Sequence, residues 1–218
     1  MELRTGIPQL DSLLGGGLYP GITEFYSDHW SLVSLLYHRM LVSLAPQGDV
    51  LLLLNREFGG LDPHLLRRIA RRLGIPRSSV DSIRVLRTFS LQGLLLALEG
   101  AAGEPWDALL VVDPYLQVDP SRMAEAGPVT ASLSRLRARG NVVLFNRANG
   151  SRPHGGNFHH HTVSVLVRLR RARGGALAVL EKHPSRPRLS TGIPTSELLG
   201  VAPWAGRPLP CAGRLRAR

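Results

Sequence analysis

Residues 22–36 read ITEFYSDHWSLVSLL and join an apolar strand, ITEFY, to an apolar helix through a short polar turn. In α/β nucleotide-binding domains, a turn in this place holds the phosphates. A phosphate loop needs glycines, whose backbone N–H groups close around the anion, followed by a Lys and then a Ser or Thr. This turn has no glycine, so the sequence predicts the scaffold of a phosphate site without its chemistry.

The residues of the turn are themselves unsuited to a phosphate. Asp28 would repel it, Trp30 would occupy its space and Val33 stands where the Lys is required, whereas Ser34 alone fits the motif. We therefore predict that no nucleotide or other cofactor binds here. The degenerate loop comprises Ser27, Asp28, His29, Trp30, Ser31, Leu32, Val33 and Ser34.

The composition indicates one domain with a polyanion partner. At 218 residues and 44% hydrophobic content, the chain is long enough for one sizeable α/β core. Its net charge is +11, and Lys182 is the sole lysine among 27 basic residues. An uncompensated basic surface favours nucleic acid, although arginine enrichment also follows genome bias or a thermophilic lifestyle.

Cysteine content and hydropathy indicate the cellular compartment in which the protein is expected. The single Cys211 excludes an internal disulfide framework and a cysteine-based zinc site. No apolar run reaches the roughly 20 residues that span a bilayer, and the N-terminal residues lack the apolar stretch of a signal peptide. We expect a soluble, cytoplasmic protein without a membrane partner.

Strand and helix patterns alternate along the chain. Apolar strands are predicted at 22–26, 50–54, 106–113 and 141–146, and a short strand at 83–87. Helices are predicted at 32–44, 63–73, 91–99 and 129–139, and a turn followed by a helix within 5–14. A hairpin is predicted from 163–171 and 176–181 around Gly174 and Gly175. The pattern predicts an α/β fold with a mostly parallel sheet, helices on both faces and an antiparallel edge hairpin. We expect a core domain at 1–188 and an irregular Pro/Arg-rich tail at 189–218.

The sequence pattern does not show what contacts the exposed surfaces of two predicted helices. The helix at 91–99 is apolar nearly all round, so its own domain or a partner must cover it. The apolar residues are Leu91, Leu94, Leu95, Leu96 and Leu98, and the predicted partner contacts among them are Leu91, Leu94, Leu95 and Leu98. The helix at 63–73 turns four arginines outward, namely Arg67, Arg68, Arg71 and Arg72. These could meet a phosphate backbone, but a solvated charged face is the more common outcome.

Several stretches in a fixed order carry a resemblance to a known family. They are TGIPQLDSLLGGGLYPGITEFY at 5–26, LLVVD at 109–113, VVLFN at 142–146, GGN at 155–157 and VLVRLRR with ALAVLEKHP at 165–184. Across residues 4–188 the chain resembles the ATPase core of the RecA/RadA recombinases, most closely the archaeal RadA and eukaryotic branch and its shortened paralogs. The resemblance implies a RecA-like three-layer fold.

The chain also departs from that family. It lacks the small N-terminal helical domain and the linker aromatic motif through which family members join into filaments. Asp113 stands at the family's magnesium-linked acid and Glu57 near its catalytic glutamate, but without a Lys or a glycine cradle we read both as vestigial. We therefore expect no ATPase activity. The alternative is a weak ATPase kept active by Glu57, Asp113 and Ser34.

The resemblance also implies two DNA-contacting loops. By position they are residues 114–128, containing Arg122, and residues 147–156, containing Arg147, Arg152 and His154. Few aromatic residues are available to stack on bases, so binding to single-stranded DNA, or to double-stranded DNA, should tolerate any sequence and depend on salt. Ordinary solvated loops are an equal alternative.

His159, His160 and His161 raise the question of a metal. Adjacent residues in a strand or turn point in different directions, and no carboxylate or Cys lies close in sequence, so we expect no metal site here.

The expected function is that of an ATP-independent paralog in homologous recombination and DNA repair. It would bind single-stranded DNA through its arginine loops, and pair with a RadA-type recombinase or another paralog through the sheet edge and residues 91–98. A structural partner that does not bind DNA is a further alternative.

Overall fold

Eight α-helices and nine strands alternate through the residues that the computed structural model describes, 2–57, 59–119 and 122–201. The helices are α1 Pro8–Leu14, α2 Trp30–Leu44, α3 Pro63–Leu73, α4 Arg77–Asp81, α5 Leu91–Gly103, α6 Ala126–Leu136, α7 Gly156–Thr162 and α8 Thr195–Leu198. The strands are β1 Gly21–Ser27, β2 Val50–Asn55, β3 Arg84–Thr88, β4 Ala108–Val112, β5 Asn141–Asn149, β6 Arg152–Pro153, β7 Val165–Ala172, β8 Gly175–Lys182 and β9 Leu189–Pro194.

The strands form a single sheet in the order β3-β2-β4-β5-β1-β7-β8-β9. From β3 to β7 every neighbouring pair is parallel, whereas β7, β8 and β9 pair antiparallel. The short β6 folds back on β5 as a hairpin. This topology confirms the predicted α/β fold with a mostly parallel sheet and an antiparallel edge, and it is consistent with a RecA-like fold.

Buried strands divide their side chains between two cores. Leu52 and Leu54 of β2 enter the core under α1, α2 and α3, whereas Leu51 and Leu53 enter the core under α5 and α6. This alternation follows from the two-residue period of a strand. It explains why β4 is apolar at every position and β2 from Val50 to Leu54, since both of their faces are covered.

The C-terminal part of the sheet corrects the predicted tail. Residues 189–194, expected to be irregular, form β9 and pair with β8 from Leu180↔Leu189 to Gly175↔Pro194. The ordered domain therefore continues past residue 188. The sequence LSTGIP gives no alternating signal, because backbone pairing to the open edge of β8, and not apolar burial, places this strand. Residues 202–218, with Cys211, lie outside the described residues.

One buried arginine connects the two ends of the domain. Arg39 of α2 is 4% exposed, and its guanidinium donates to the carbonyls of Gly6 and Glu197 and to the hydroxyl of Ser43. Gly6 and Glu197 belong to two similar segments, TGIPQLDSLL and TGIPTSELLG. The same side chain thus holds both of these similar segments.

Helix α3 is defined at both ends by its sequence. The Asp62 carboxylate accepts hydrogen bonds from the N–H groups of His64 and Leu65, and Pro63 occupies the first helical position. Gly74 ends the helix in the left-handed region, with φ of 66°. The bounds agree with the predicted helix at 63–73. The short α4 that follows has no apolar periodicity and was not predicted.

Candidate functional site

The connection between β1 and α2 is two residues long. Strand β1 ends at Ser27 and α2 begins at Trp30, so only Asp28 and His29 lie between them. The Ser27 hydroxyl accepts from the N–H of His29 and donates to the Leu169 carbonyl, which fixes the turn against β7. Trp30 and the residues after it belong to the helix, and no glycine-rich loop stands at this position.

Two further polar side chains of the turn region, those of Asp28 and Ser34, are also partnered. The Asp28 carboxylate lies 3.0 Å from Nη2 of Arg168, and the Ser34 hydroxyl lies 3.4 Å from the hydroxyl of Tyr37. Val33 is fully buried in the core. The segment is therefore bound to its own domain through both its polar and its apolar residues.

Asp113 lies immediately beyond β4 and is held by two arginines. Its side chain is 1% exposed, with Arg56 Nη1 3.1 Å from Oδ2 and Arg147 Nε 3.2 Å from Oδ1. Its backbone has φ of 53°, a left-handed conformation that Asp tolerates better than most residues. The Asn55 amide donates to the Asp113 carbonyl, which ties the ends of β2 and β4 together.

Trp30 lies against both of these arginines. The guanidinium carbon of Arg56 is 4.6 Å from the centre of the indole ring, and that of Arg147 is 4.7 Å from it. Both distances lie within the range of a cation–π interaction. Trp30, Arg56, Arg147 and Asp113 form what we call the Trp30 cluster, which joins the ends of β2, β4 and β5 to the start of α2.

Burial and neighbouring charges shift the pKa of Asp113 in opposite directions. Burial raises the pKa of its carboxyl group, whereas the guanidiniums of Arg147 and Arg56 oppose that rise. The ion pairs therefore offset the cost of placing a carboxylate at the buried ends of the strands.

Glu57 does not join the Trp30 cluster. Its side chain is exposed and makes no ion pair or hydrogen bond with any residue that the structure describes, while its backbone carbonyl lies 3.5 Å from Nη1 of Arg87. The neighbouring Arg56, which sequence reasoning passed over, is the residue that reaches Asp113. Only tertiary contacts reveal that role.

The segment at 147–156 is a β-hairpin, which corrects the expectation of a flexible loop. Strand β5 continues to Asn149, and β6 pairs with it through Ala148↔Pro153 and Asn149↔Arg152. The Asn149-Gly150 sequence at the turn, with Gly150 at φ of 63°, is a hairpin signal that could have been read from the sequence.

The four predicted DNA contacts occupy different environments. Arg147 belongs to the Trp30 cluster, Arg152 is exposed with Nη1 2.8 Å from the Asn157 side chain, and Arg122 is exposed and 3.6 Å from Glu125. His154 is half-buried below the hairpin, with its ring centre 6.3 Å from that of Tyr115, and burial lowers its pKa. His154 is therefore partly covered by its own domain, and its contact with DNA stays a prediction.

A buried polar cluster supports the hairpin. Glu24 of β1 lies 2.9 Å from Nε2 of His159, whose Nδ1 lies 2.7 Å from the hydroxyl of Tyr115. The Asn146 amide donates both to Glu24 and to the carbonyl of His154. Because these groups are almost completely buried, their mutual hydrogen bonds are required, and they fix the start of the hairpin. Sequence reasoning missed Glu24 and Tyr115.

The three consecutive histidines lie on helix α7 and not in a strand or turn. A carboxylate does lie close in space, since Glu24 contacts His159. Among the residues described, no group of three or more His, Cys, Asp or Glu side chains could hold a metal ion. His159 therefore has a structural role in the buried cluster, while the absence of a bound metal stays a prediction.

The apolar helix α5 covers its own domain with two of the predicted partner residues. Leu94 and Leu98 are buried in the core with α6, and Leu91 and Leu95 pack at its margin, so Leu94 and Leu98 cannot be partner contacts. The most exposed apolar residues near α5 are Leu96, at 61%, and Phe89, at 58%. With Val85 they line a groove of about 670 Å³ between α5 and the edge strand β3.

The fold and the site describe a RecA-like α/β domain in which an aromatic and arginine cluster occupies the β1–α2 junction. No protein-family profile matches the chain. It is similar to the DNA repair and recombination protein RadA of Methanoculleus marisnigri, with 27% identity over 236 aligned positions covering 85% of this chain and 70% of that protein. This weak similarity supports a RecA/RadA-like relationship. Within the described residues, no helix has the length and apolarity needed to cross a membrane.

Proposed function

We propose that this chain is an ATP-independent accessory factor in homologous recombination and DNA repair. The similarity to a DNA repair and recombination protein supports the process. The Trp30 cluster supports the further proposal that the protein works without ATP. It places an indole ring and two paired guanidiniums at the turn where phosphates would be held.

A bound nucleotide would have to displace contacts that Asp113 and Trp30 already make. Magnesium would compete with two arginines for the Asp113 carboxylate, and a triphosphate would require Trp30 to leave its position against them. The two-residue connection offers no glycine cradle to compensate for those losses. Without a nucleotide, the subunit has no hydrolysis-driven switch, so it would cap or stabilise a recombinase filament.

Calorimetric titration with ATP and Mg²⁺ tests this proposal. We expect no saturable heat, and the same result with Asp113→Asn, because the cluster and not the acid alone excludes the nucleotide. Saturable micromolar binding by the unmodified chain would contradict the proposal and favour the weak ATPase. The thermal unfolding temperature with and without nucleotide provides a second readout, since a bound ligand raises it.

DNA binding is proposed for the outward side of the β5–β6 hairpin. Arg152 presents its charge to solvent, whereas Arg147 is committed to Asp113 and Trp30. We therefore expect Arg152→Ala to weaken binding to a fluorescent single strand at low salt. Arg173→Ala, at the exposed β7–β8 turn, is the matched control. If no binding is detected at low salt, or if Arg152→Ala and the control act equally, the hairpin has no role in DNA binding.

Pairing with a RadA-type recombinase, or with another paralog, is proposed for the β3–α5 groove. Its exposed apolar side chains and the edge of β3, which no strand among the described residues pairs, provide the contact surface in place of the buried Leu94 and Leu98. We expect Phe89→Asp with Leu96→Asp to abolish capture of the host's active recombinase. Leu189→Asp, an exposed leucine on the opposite edge strand β9, should leave it unchanged. Equal capture by both variants would refute this surface.

A further inference from the structure

Helix α3 presents a rigid cationic face that the proposed function does not use. Leu66, Ile69 and Ala70 bury one side of the helix in the core. The opposite side exposes four arginines at adjacent helical positions, namely Arg67, Arg68, Arg71 and Arg72. The Asp62 cap and the Gly74 terminus fix both ends of the helix, so the arginines project from a defined surface.

Little negative charge compensates this face. In the described residues, Arg67, Arg68 and Arg71 have no carboxylate within ion-pair distance, and the remaining residues of the chain include no Asp or Glu. Arg77 pairs with Asp81 on α4, and Asp62 is engaged in capping α3. Like charges four residues apart on a helix destabilise it, so this arrangement costs stability unless an anion neutralises it.

A cleft between α3 and α4 brings two of these four arginines together with Arg77. It has a volume of about 420 Å³ and is lined by Arg67, Arg71 and Arg77, with Ala70, Ile75 and Val80 as the remaining lining residues. A single phosphate can meet several guanidiniums in such a cleft, because guanidinium donors match phosphate oxygens. Arg68 and Arg72 extend the cationic surface beyond the cleft.

The chemistry of this surface favours a duplex phosphate backbone over other polyanions. Residues 63–81 contain no Phe, Tyr or Trp, so there is no aromatic platform on which the bases of a single strand could stack. They also expose no large apolar side chain that could enter a lipid bilayer. A fixed helix with regularly spaced arginines suits a fixed array of phosphates.

We propose that the α3 face is a second nucleic-acid site that binds the backbone of double-stranded DNA. Since β2 and β3 are parallel, α3 leads from the carboxyl ends of the strands back to their amino ends. Most of its arginines therefore lie away from the β5–β6 hairpin. The two surfaces would let one subunit hold a duplex and a single strand at separate places.

The spacing of the α3 arginines gives the expected change in the salt dependence of duplex binding. Arg67 and Arg71 are one turn apart, about 6 Å along the helix axis, and successive phosphates of one DNA strand rise by about 3.4 Å. Three arginines can thus meet about three phosphates across two or three nucleotide steps. Each phosphate contact contributes about −0.9 to the slope of log affinity against log salt concentration.

The test is fluorescence anisotropy of the full chain with a labelled duplex at several salt concentrations. The variant is Arg67→Ala with Arg68→Ala and Arg71→Ala; Arg72 is kept because it donates to the Leu199 carbonyl. The control removes the same charge from exposed arginines at and beyond the end of α6, through Arg135→Ala, Arg137→Ala and Arg139→Ala. Circular dichroism melting establishes that both variants fold.

We expect the α3 variant to lose about tenfold or more in duplex affinity and about two to three units of salt slope. The control should change duplex affinity less than twofold, and single-strand binding should stay unchanged in both variants. Equal losses in variant and control, an unchanged α3 variant, or binding to anionic vesicles but not to the duplex would overturn the proposal. Failure of single-strand binding or of recombinase capture would instead count against the proposed function.

Discussion

Replacing Trp30 by Ala removes the ring on which the Trp30 cluster is built. Each cation–π contact, one to Arg56 and one to Arg147, contributes about 0.5–1 kcal/mol at a partly exposed site. Truncation of a fully buried Trp costs about 3–5 kcal/mol, and roughly half of that applies here because the ring is half-buried. We therefore expect a loss of about 3–4 kcal/mol, or roughly 10 °C in unfolding temperature.

Urea unfolding followed by circular dichroism measures this loss. Trp30→Leu is the informative comparison, because it keeps apolar volume but removes the π face, so its loss should be about 1–2 kcal/mol. Double-mutant cycles with Arg56→Ala and Arg147→Ala should each give a coupling of about 0.5–1 kcal/mol. ATP should remain unbound in Trp30→Ala, since vacating space supplies neither a Lys nor a glycine cradle.

Two outcomes would refute this reasoning. A loss below about 1 kcal/mol in Trp30→Ala would mean that the indole ring does not hold the strand ends together. ATP binding by Trp30→Ala would mean that steric filling alone excludes the nucleotide, and that the missing Lys and glycines are unimportant.

Three further changes test the packing around the site. Arg39→Met should cost roughly 3 kcal/mol in urea unfolding, because it leaves two buried carbonyls without a donor. Burial lowers the pKa of His38, so as the pH falls the unfolded chain takes up a proton on this ring before the folded chain does. The free energy of unfolding should therefore decrease below about pH 6.5, by at most about 1.4 kcal/mol per pH unit. His38→Asn should flatten that decline in unfolding temperature measured from pH 7.5 to 5.5. Gly155→Ala should cost about 2–4 kcal/mol, because its φ is 128° and a Cβ would lie 2.7 Å from a tyrosine ring. Gly150→Ala, at φ of 63° with open space around it, should cost about 1 kcal/mol and serves as its control.

The pH prediction follows from the hydrogen bonds of His38. Its Nδ1 lies 2.7 Å from the Ser34 carbonyl, and its Nε2 accepts from the N–H of Asp62 at 2.9 Å. Only the neutral ring with its proton on Nδ1 satisfies both partners. A second proton would place a donor against the N–H of Asp62, so an unchanged unfolding temperature at pH 5.5 would contradict this arrangement.

Sequence periodicity predicted the parts of the fold that apolar burial determines. The continuous apolar run at 50–54 became β2, and the amphipathic pattern with Pro63 and Gly74 gave the bounds of α3. It missed β9, whose position depends on hydrogen bonding to β8, and it described the β5–β6 hairpin as a loop despite the Asn149-Gly150 signal. Local patterns do not report which backbone edge is left open for pairing.

The candidate site was predictable only in outline. The prediction that Trp30 and Val33 do not suit phosphate binding rests on residue type alone and stays a prediction. Arg56 and Arg147 both pair with Asp113, although the three residues are far apart in sequence. No local sequence pattern therefore indicates these ion pairs. For the same reason, apolarity alone could not separate the buried Leu94 and Leu98 of α5 from the exposed Leu96.

The position of Arg39 has a consequence for how the protein acquires its fold during synthesis. Its guanidinium donates to two backbone segments, around Gly6 and around Glu197, that are far apart in sequence and therefore leave the ribosome at different times. Until the later segment emerges, a buried cation lacks one of its acceptors and β8 lacks its pairing with β9. Nascent chains in which β8 but not β9 has emerged from the ribosome should therefore depend on chaperones, whereas emergence of β9 should end that dependence.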